Sequence, residues 1–385
     1  MRANEPPDAD IAVYVHWPFC ARICPYCDFN VHKDRRLDAA RWTAALVREL
    51  SHWAALTPGR RVASLYFGGG TPSLAPPAVI GGVIEAAERL WGFADDPEIT
   101  LEANPSDAGA DAGTARLESF RASGVNRLSL GVQSFDDAAL KFLGRDHDGA
   151  DARGAIDAAL SLFPRASADF IYGLPGQTAD QWADELRAAL ATGLGHLSLY
   201  QLTVEPGTAF DRQVAKGRWA APGDALSADL FDLAQEMTAA AGIPAYEISN
   251  HARAGDRSRH NSAYWRGGDY VGVGPGAHGR VTLGAARHAT ETARAPAGYL
   301  TRVEAAGHAL ILDDPLTEEE ARVEKFAMGL RTVDGVSLNA GDLAALSGKI
   351  APLVEDGALV QNGHHLAATA DGRRVLNAVL ARLLA

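Results

Sequence analysis

A chain of 385 residues is long enough for two domains, or for one large domain with an appendage. With 47% hydrophobic and 22% charged residues it has the composition of a folded globular protein, and no run approaches the roughly 18 uninterrupted apolar residues of a membrane span. A formal net charge of -12 disfavours broad attraction to nucleic acid or to an anionic membrane surface, both of which need clustered Lys and Arg. The first ten residues are polar and acidic, without the apolar core of a secretory signal, so 1–10 reads as a flexible tail and the chain as cytoplasmic.

Short β-rich runs near 11–16, 62–67, 98–102, 126–130, 167–172 and 196–201 alternate with Ala- and Leu-rich helical patterns near 37–56, 76–91, 113–122, 148–162 and 178–190. Repeated βα units imply a parallel sheet, either open and doubly wound or closed part-way into a barrel. Both place functional groups at the carboxyl ends of the strands. The polar motifs fall there: a cysteine loop after the first strand, Gly68-Gly69-Gly70-Thr71-Pro72 after the second, Glu102 ending the third. Gln133 and Ser134 follow the fourth, Asp169 lies within the fifth, and Tyr200 and Gln201 end the sixth. From about residue 310 the pattern changes to short helices near 316–331, 340–347 and 349–356, two brief strands joined by Asn362-Gly363, and a last helix near 371–384. This reads as a small winged-helix-like α+β domain. Acidic residues outnumber basic ones in it, which favours packing or covering a substrate over binding DNA.

Cys20, Cys24 and Cys27 are the only cysteines, spaced C-x3-C-x2-C. Loops this short make poor disulfides, and an odd count leaves one thiol unpaired, so a ligand cluster is the better reading. Thiolates suit iron-sulfur clusters and zinc alike. Three thiols leave one iron of a four-iron cube open to a small molecule; the alternative is a zinc site completed by His32 or His16.

The stretch from Tyr14 to Phe29, followed by Gly68 to Pro72, resembles the radical S-adenosylmethionine (SAM) superfamily, in particular its oxygen-independent coproporphyrinogen oxidase branch. The likeness runs on through Glu102-Ala103-Asn104-Pro105, Gly131-Val132-Gln133-Ser134-Phe135, Asp169 to Gln177, and His260-Asn261-Ser262-Ala263-Tyr264-Trp265. It implies a partial (βα)6 TIM-like barrel over 11–240, an extension and connecting segment over 241–309, and a C-terminal domain over 310–385. It further implies that Cys20, Cys24 and Cys27 hold a 4Fe-4S cluster that binds SAM through its open iron, with Tyr14, Tyr26, Gly69, Gly70, Thr71, Glu102, Gln133, Arg145 and Asp169 around the cofactor.

The oxidase carries a fourth cysteine two positions beyond the third, where this chain has Phe29, and it has a longer N-terminal extension. Both differences point to the HemW group of heme chaperones. That resemblance implies heme as a ligand, with His260 of the H-N-x-x-Y-W motif as the expected axial ligand and His278 and His251 as alternatives. It also implies heme-acceptor proteins, such as respiratory heme proteins, and an electron donor such as flavodoxin or ferredoxin. Coproporphyrinogen decarboxylation and a zinc-stabilised barrel without radical chemistry stand as the competing functions.

Overall fold

Alternation along the first strand sets the plan of the molecule. In β1 (Asp10–Trp17) the residues Ile11, Val13, Val15 and Trp17 are buried in the main apolar core, while Tyr14 and His16 point to the other face. The same division repeats in β2 (Arg61–Gly69), β3 (Phe93–Ala103), β4 (Arg127–Gln133), β5 (Arg165–Tyr172) and β6 (His196–Gln201). Leu65, Phe67, Ile99, Leu101, Leu128, Leu130, Ala168, Phe170, Leu197 and Leu199 enter that core. The intervening residues Tyr66, Thr100, Glu102, Ser129, Asp169 and Ser198 are polar. The computed structural model describes residues 10–33, 37–108 and 110–384, so all of the expected tail except Asp10 lies outside the described residues.

The six strands are parallel and hydrogen-bonded in sequence order, β1 to β6. A doubly wound sheet would reverse direction part-way. Without a reversal, right-handed crossovers put every connecting helix on one face. Those helices are α1 (Ala39–Leu56), α2 (Pro77–Trp91), the short α3 (Pro105–Ala108), α4 (Ala110–Ala122), α5 (Asp137–Phe142), α6 (Gly149–Leu162) and α7 (Ala179–Leu190). A closed TIM barrel fills its centre with Val, Ile and Leu. Here the inner face is polar, and β1 and β6 do not pair with each other. The fold is a partial (βα)6 barrel.

Beyond β6 come α8 (Ala209–Ala215), α9 (Asp224–Ala240), β7 (Asn250–Ala252) and α10 (Arg259–Trp265). Then follow β8 (Tyr270–Val273), β9 (His278–Leu283), β10 (Ala286–Thr292), α11 (Pro296–Ala306) and β11 (Leu310–Pro315). These strands widen the sheet to 11 strands, in the order β11-β10-β9-β8-β1-β2-β3-β4-β5-β6-β7. The expected C-terminal domain started at 310, but Leu310–Pro315 pairs with β10 and belongs to the large sheet.

The remaining elements, α12 (Glu318–Gly329), β12 (Val336–Ser337), α13 (Ala340–Glu355), β13 (Leu359–Asn362), β14 (His365–Ala368), α14 (Ala370–Arg374) and α15 (Leu376–Leu384), form an α+β unit. Its own core includes Phe326, Leu346, Ile350, Leu353, Leu366 and Leu383. The Asn362-Gly363 hairpin forms as expected, with Gly363 at φ +61°. The break expected near Gly348 does not occur, because Leu346, Ile350 and Leu353 bury one continuous face of α13. Among the described residues no helix is long and apolar enough to cross a membrane.

Candidate functional site

A cavity of about 590 Å³ opens at the carboxyl ends of β1 to β6, where the half-barrel leaves its polar face uncovered. Cys20, Cys24 and Cys27 line it, together with Tyr26, Gly69, Gly70, Thr71, Glu102, Gln133, Arg145 and Asp169. All the residues expected around the cofactor therefore meet in one space except Tyr14. That ring stands behind the wall: its hydroxyl donates to Nδ1 of His16 (3.0 Å), and the ring lies against Tyr66 and beneath Gly68.

The cysteine loop is tied down on several sides. At its neck the Cys20 N–H donates to the His32 carbonyl (3.0 Å) and the His32 N–H to the Pro18 carbonyl (2.7 Å). The Thr71 hydroxyl approaches the Cys20 sulfur at 3.4 Å, and an Arg145 N–H approaches the Cys24 sulfur at 3.5 Å. Burial raises the Cys20 thiol and pushes Cys27 up to about 11, so free thiolates are unfavourable here unless a cation compensates them. A metal cluster does this directly, because its thiolate ligands are bound deprotonated.

A lone zinc fits less well. Its donors must meet about 2.0–2.3 Å from one centre, and among the described residues no three His, Cys, Asp or Glu side chains form such a group. The His16 imidazole is committed: Nε2–H donates to the Asn30 carbonyl (2.9 Å), while Nδ1 accepts from Tyr14. A four-iron cube suits three thiols because each binds a separate iron.

Opposite the thiols, Glu102 accepts from the Tyr66 hydroxyl (2.7 Å) and from the Gly69 N–H (3.2 Å). Burial pushes its carboxyl up to about 7 and that of Asp169 up to about 6, and among the described residues neither makes an ion pair. Half-buried carboxyls facing a cavity are poised to accept hydrogen bonds from a ligand carrying positive charge or hydroxyls. Arg145 is half-buried. Its Nη2 donates to Oδ1 of Asn104 (2.6 Å) and to the Gly131 carbonyl (2.8 Å), while its Nε finds no partner among the described residues. Gln133, at φ +69°, is the one non-glycine residue with positive φ among those described, at an irregularity where β4 leaves its register with β5. Strain of this kind concentrates at functional sites.

Gly70 shows why the triple glycine is needed. A Cβ there would stand 2.7 Å from the Phe19 carbonyl and 2.9 Å from that of Trp17. Any other residue would push the Gly68–Thr71 segment off the cysteine loop. Sequence reasoning gave no role to Asn104 or Tyr66. Asn104 could have been found as the polar residue between the end of β3 and Pro105, and Tyr66 from its period-two alignment with Gly68.

The structure does not bring His260 to the cavity. It lies on α10 at the amino end of the half-barrel, 1% exposed, with Nδ1 bonded to the Ser64 hydroxyl (2.9 Å) and Nε2 to the Tyr264 hydroxyl (2.5 Å). Its ring stacks on Tyr66 at 4.8 Å. Glu98 seats this helix by accepting the N–H groups of Arg259 (3.1 Å) and His260 (3.0 Å), and it pairs with Arg165 at 2.6 Å. The H-N-x-x-Y-W motif therefore plugs the floor of the half-barrel, and burial holds the His260 imidazole neutral, its pKa down at about 3. With the ring 1% exposed and both nitrogens hydrogen-bonded to hydroxyls, the His260 imidazole is turned away from the cavity in this structure. His251 is likewise buried, whereas His278 is exposed on the extension, 3.9 Å from Glu291.

The exposed apolar side chains Ile23, Phe29 and Tyr200 ring the mouth of the cavity, and Phe29, at the position of the oxidase's extra cysteine, is 63% exposed.

The signature of the radical SAM superfamily matches residues 14–189, and that of the HemN C-terminal domain matches residues 316–375. The protein named radical S-adenosyl methionine domain-containing protein 1, mitochondrial, of Bos taurus is 40% identical over 97% of this chain and 87% of its own length. Heme chaperone HemW of Mycobacterium tuberculosis is 35% identical over 98% of this chain and 96% of its own length. Coproporphyrinogen III oxidase (HemN) of Escherichia coli superposes with a TM-score of 0.80, covering 97% of this chain and 89% of that one, and its 24% identity speaks to the fold. The chain thus belongs to the radical SAM superfamily, within the group that contains the proteins named heme chaperone HemW and radical S-adenosyl methionine domain-containing protein 1.

Proposed function

We propose that this protein binds heme and passes it to acceptor proteins, and that Cys20, Cys24 and Cys27 hold a 4Fe-4S cluster whose remaining iron takes SAM. The observation that carries the reading is the near full-length likeness to a heme chaperone, combined with Phe29 exposed at the cavity mouth where the oxidase has its fourth cysteine. When bound, the cluster and SAM supply one-electron chemistry that the side chains cannot. The chain's own groups bind and orient. Gly69 and Gly70 let the backbone approach the ligand, and Thr71 holds the Cys20 sulfur. Glu102 and Asp169 offer acceptors to the hydroxyls and the ammonium group of SAM, and Arg145, Gln133 and Tyr26 close the sides.

In this reading 11–240 is the cofactor-binding core, 241–309 extends it, and the C-terminal unit packs against the floor through α12 and α10. Heme rests its apolar face on the Ile23, Phe29 and Tyr200 rim rather than on His260. Respiratory heme proteins as acceptors, flavodoxin or ferredoxin as electron donor, and a cytoplasmic location belong to the same proposal.

Anaerobic reconstitution tests it. Iron and sulfide should each reach about four per chain, and heme titration should saturate with a shifted Soret band. Conversion of coproporphyrinogen III to protoporphyrinogen would replace the carrier reading with the oxidase, and absence of both iron and sulfide would remove the cluster.

A further inference from the structure

Glu49 is a buried carboxylate that the site does not use. It lies on α1, is 0% exposed, and is held by three neutral donors. The Gly274 N–H donates to its Oε2 (2.9 Å), as does the Tyr299 hydroxyl (2.6 Å), and the Ala309 N–H donates to its Oε1 (2.9 Å). No cation is among these partners. Carboxylates are costly to bury without one, and a smaller apolar residue would satisfy a purely packing role on α1 more cheaply.

What the three contacts join is specific. Gly274 follows β8 directly and opens the turn Gly274-Pro275-Gly276, which lies against the neck of the cysteine loop. A Cβ on Gly274 would stand 2.3 Å from the His16 carbonyl, and one on Gly276 would stand 2.6 Å from the Asn30 amide. Asn30 fastens the loop to this turn: its Nδ2 donates to the Pro275 carbonyl (2.9 Å) and to the Arg294 carbonyl (2.9 Å), while its own carbonyl accepts from His16 (2.9 Å). Two residues on, His32 pairs with Cys20 across the neck. Hydrogen bonds linked by short stretches of chain therefore lead from Glu49 through Gly274-Pro275 and Asn30 to His32 and the backbone N–H of Cys20.

We propose that Glu49 is a positioning residue for the cysteine loop, fixing through the Gly274–Gly276 turn and Asn30 the neck from which Cys20 hangs. The inference rests on the reading that these thiols hold a cluster.

The ionised carboxylate is the form that accepts all three donors. Burial pushes Glu49 up to about 7, so this support weakens as pH falls through neutrality. The groups facing Glu49 are the Tyr299 hydroxyl on α11 and the two backbone N–H groups; one turn further along α1, the His52 ring lies tilted against His308, whose neighbour Ala309 is the third donor.

The test uses the reconstituted full-length chain and reads two things besides activity: the EPR spectrum of the reduced cluster, and the rate of iron loss to a chelator. In the wild type the rate should rise several-fold from about pH 8 to about pH 6, one unit either side of the Glu49 value. Glu49→Gln should load iron equally, lose it faster at high pH, and show a much flatter pH profile. Asn30→Ala, which leaves the Glu49 contacts in place, should raise the rate at every pH and change the EPR line shape. Wild-type protein that loads no iron would sink the cluster reading itself. Wild-type loading together with unchanged EPR, rate and pH profile in both variants would overturn the positioning role alone. Should Glu49→Gln fail to fold, Asn30→Ala decides by the same two readouts.

Discussion

Replacing His260 separates two accounts of the H-N-x-x-Y-W motif. In the structure the imidazole is a floor plug: its ring is buried against Tyr66, and both nitrogens are bonded to hydroxyls. Truncating an aromatic side chain in a core costs about 3–5 kcal/mol. Leaving the Ser64 and Tyr264 hydroxyls without their partner adds to this, by about 1–3 kcal/mol for each group that stays dry. Water entering the space offsets part of the sum, so His260→Ala should destabilise by roughly 4 kcal/mol in urea unfolding. Heme affinity, measured on the fraction that remains folded, should stay within about threefold of wild type, well under the 1.4 kcal/mol of a tenfold change.

The pH dependence carries the same signature. The imidazole titrates near 6.5 in the unfolded chain and near 3 when buried, so its contribution is complete above about 6.5 and is lost as pH falls toward 3. At about 1.4 kcal/mol per pH unit that span is worth roughly 5 kcal/mol, and the slope should shrink by that share in His260→Ala while the part due to other buried histidines, such as His196 and His251, remains. A variant that melts within about 1 kcal/mol of wild type yet no longer binds heme would refute the plug and restore the histidine as an iron ligand.

Further tests address the remaining parts. Cys20→Ser, Cys24→Ser and Cys27→Ser should each keep the wild-type far-ultraviolet circular dichroism while losing most of the roughly four irons per chain after reconstitution. Glu98→Gln should unseat α10, at the roughly 3–5 kcal/mol typical of breaking a buried ion pair, read as a lower urea midpoint. SAM affinity in equilibrium dialysis should strengthen as pH rises through about 7, because ionised Glu102 is the better acceptor for a cationic ligand, and Glu102→Gln should flatten that profile. Arg145→Lys, which loses the fork contacts to Asn104 and Gly131, should weaken SAM binding by roughly tenfold, as for the loss of one or two charge-assisted hydrogen bonds.

The sequence by itself determined the parts that rest on local chemistry. Period-two apolar runs located β1 to β6, because a strand buried against helices must alternate. Three cysteines in eight positions announced a ligand loop, because no other use of thiols at that spacing is equally stable. Of the thirteen expected cluster, cofactor and heme positions, eleven meet in one cavity, the exceptions being Tyr14 and His260. What the sequence could not decide was direction and partner. Tyr14 sits on the inner face just as Glu102 does, yet the bond to His16 and the stack on Tyr66 turn it behind the wall. His260 carries a motif that reads as a ligand site, yet α10 seats it on Glu98 at the opposite end of the strands. The short strands β8 to β11, and the attachment of Leu310–Pro315 to the large sheet, depend on pairings across distant segments, which no local pattern encodes. Only the tertiary structure, by bringing Glu49, Gly274 and Asn30 into register, shows how a helix remote in sequence comes to support the cysteine loop.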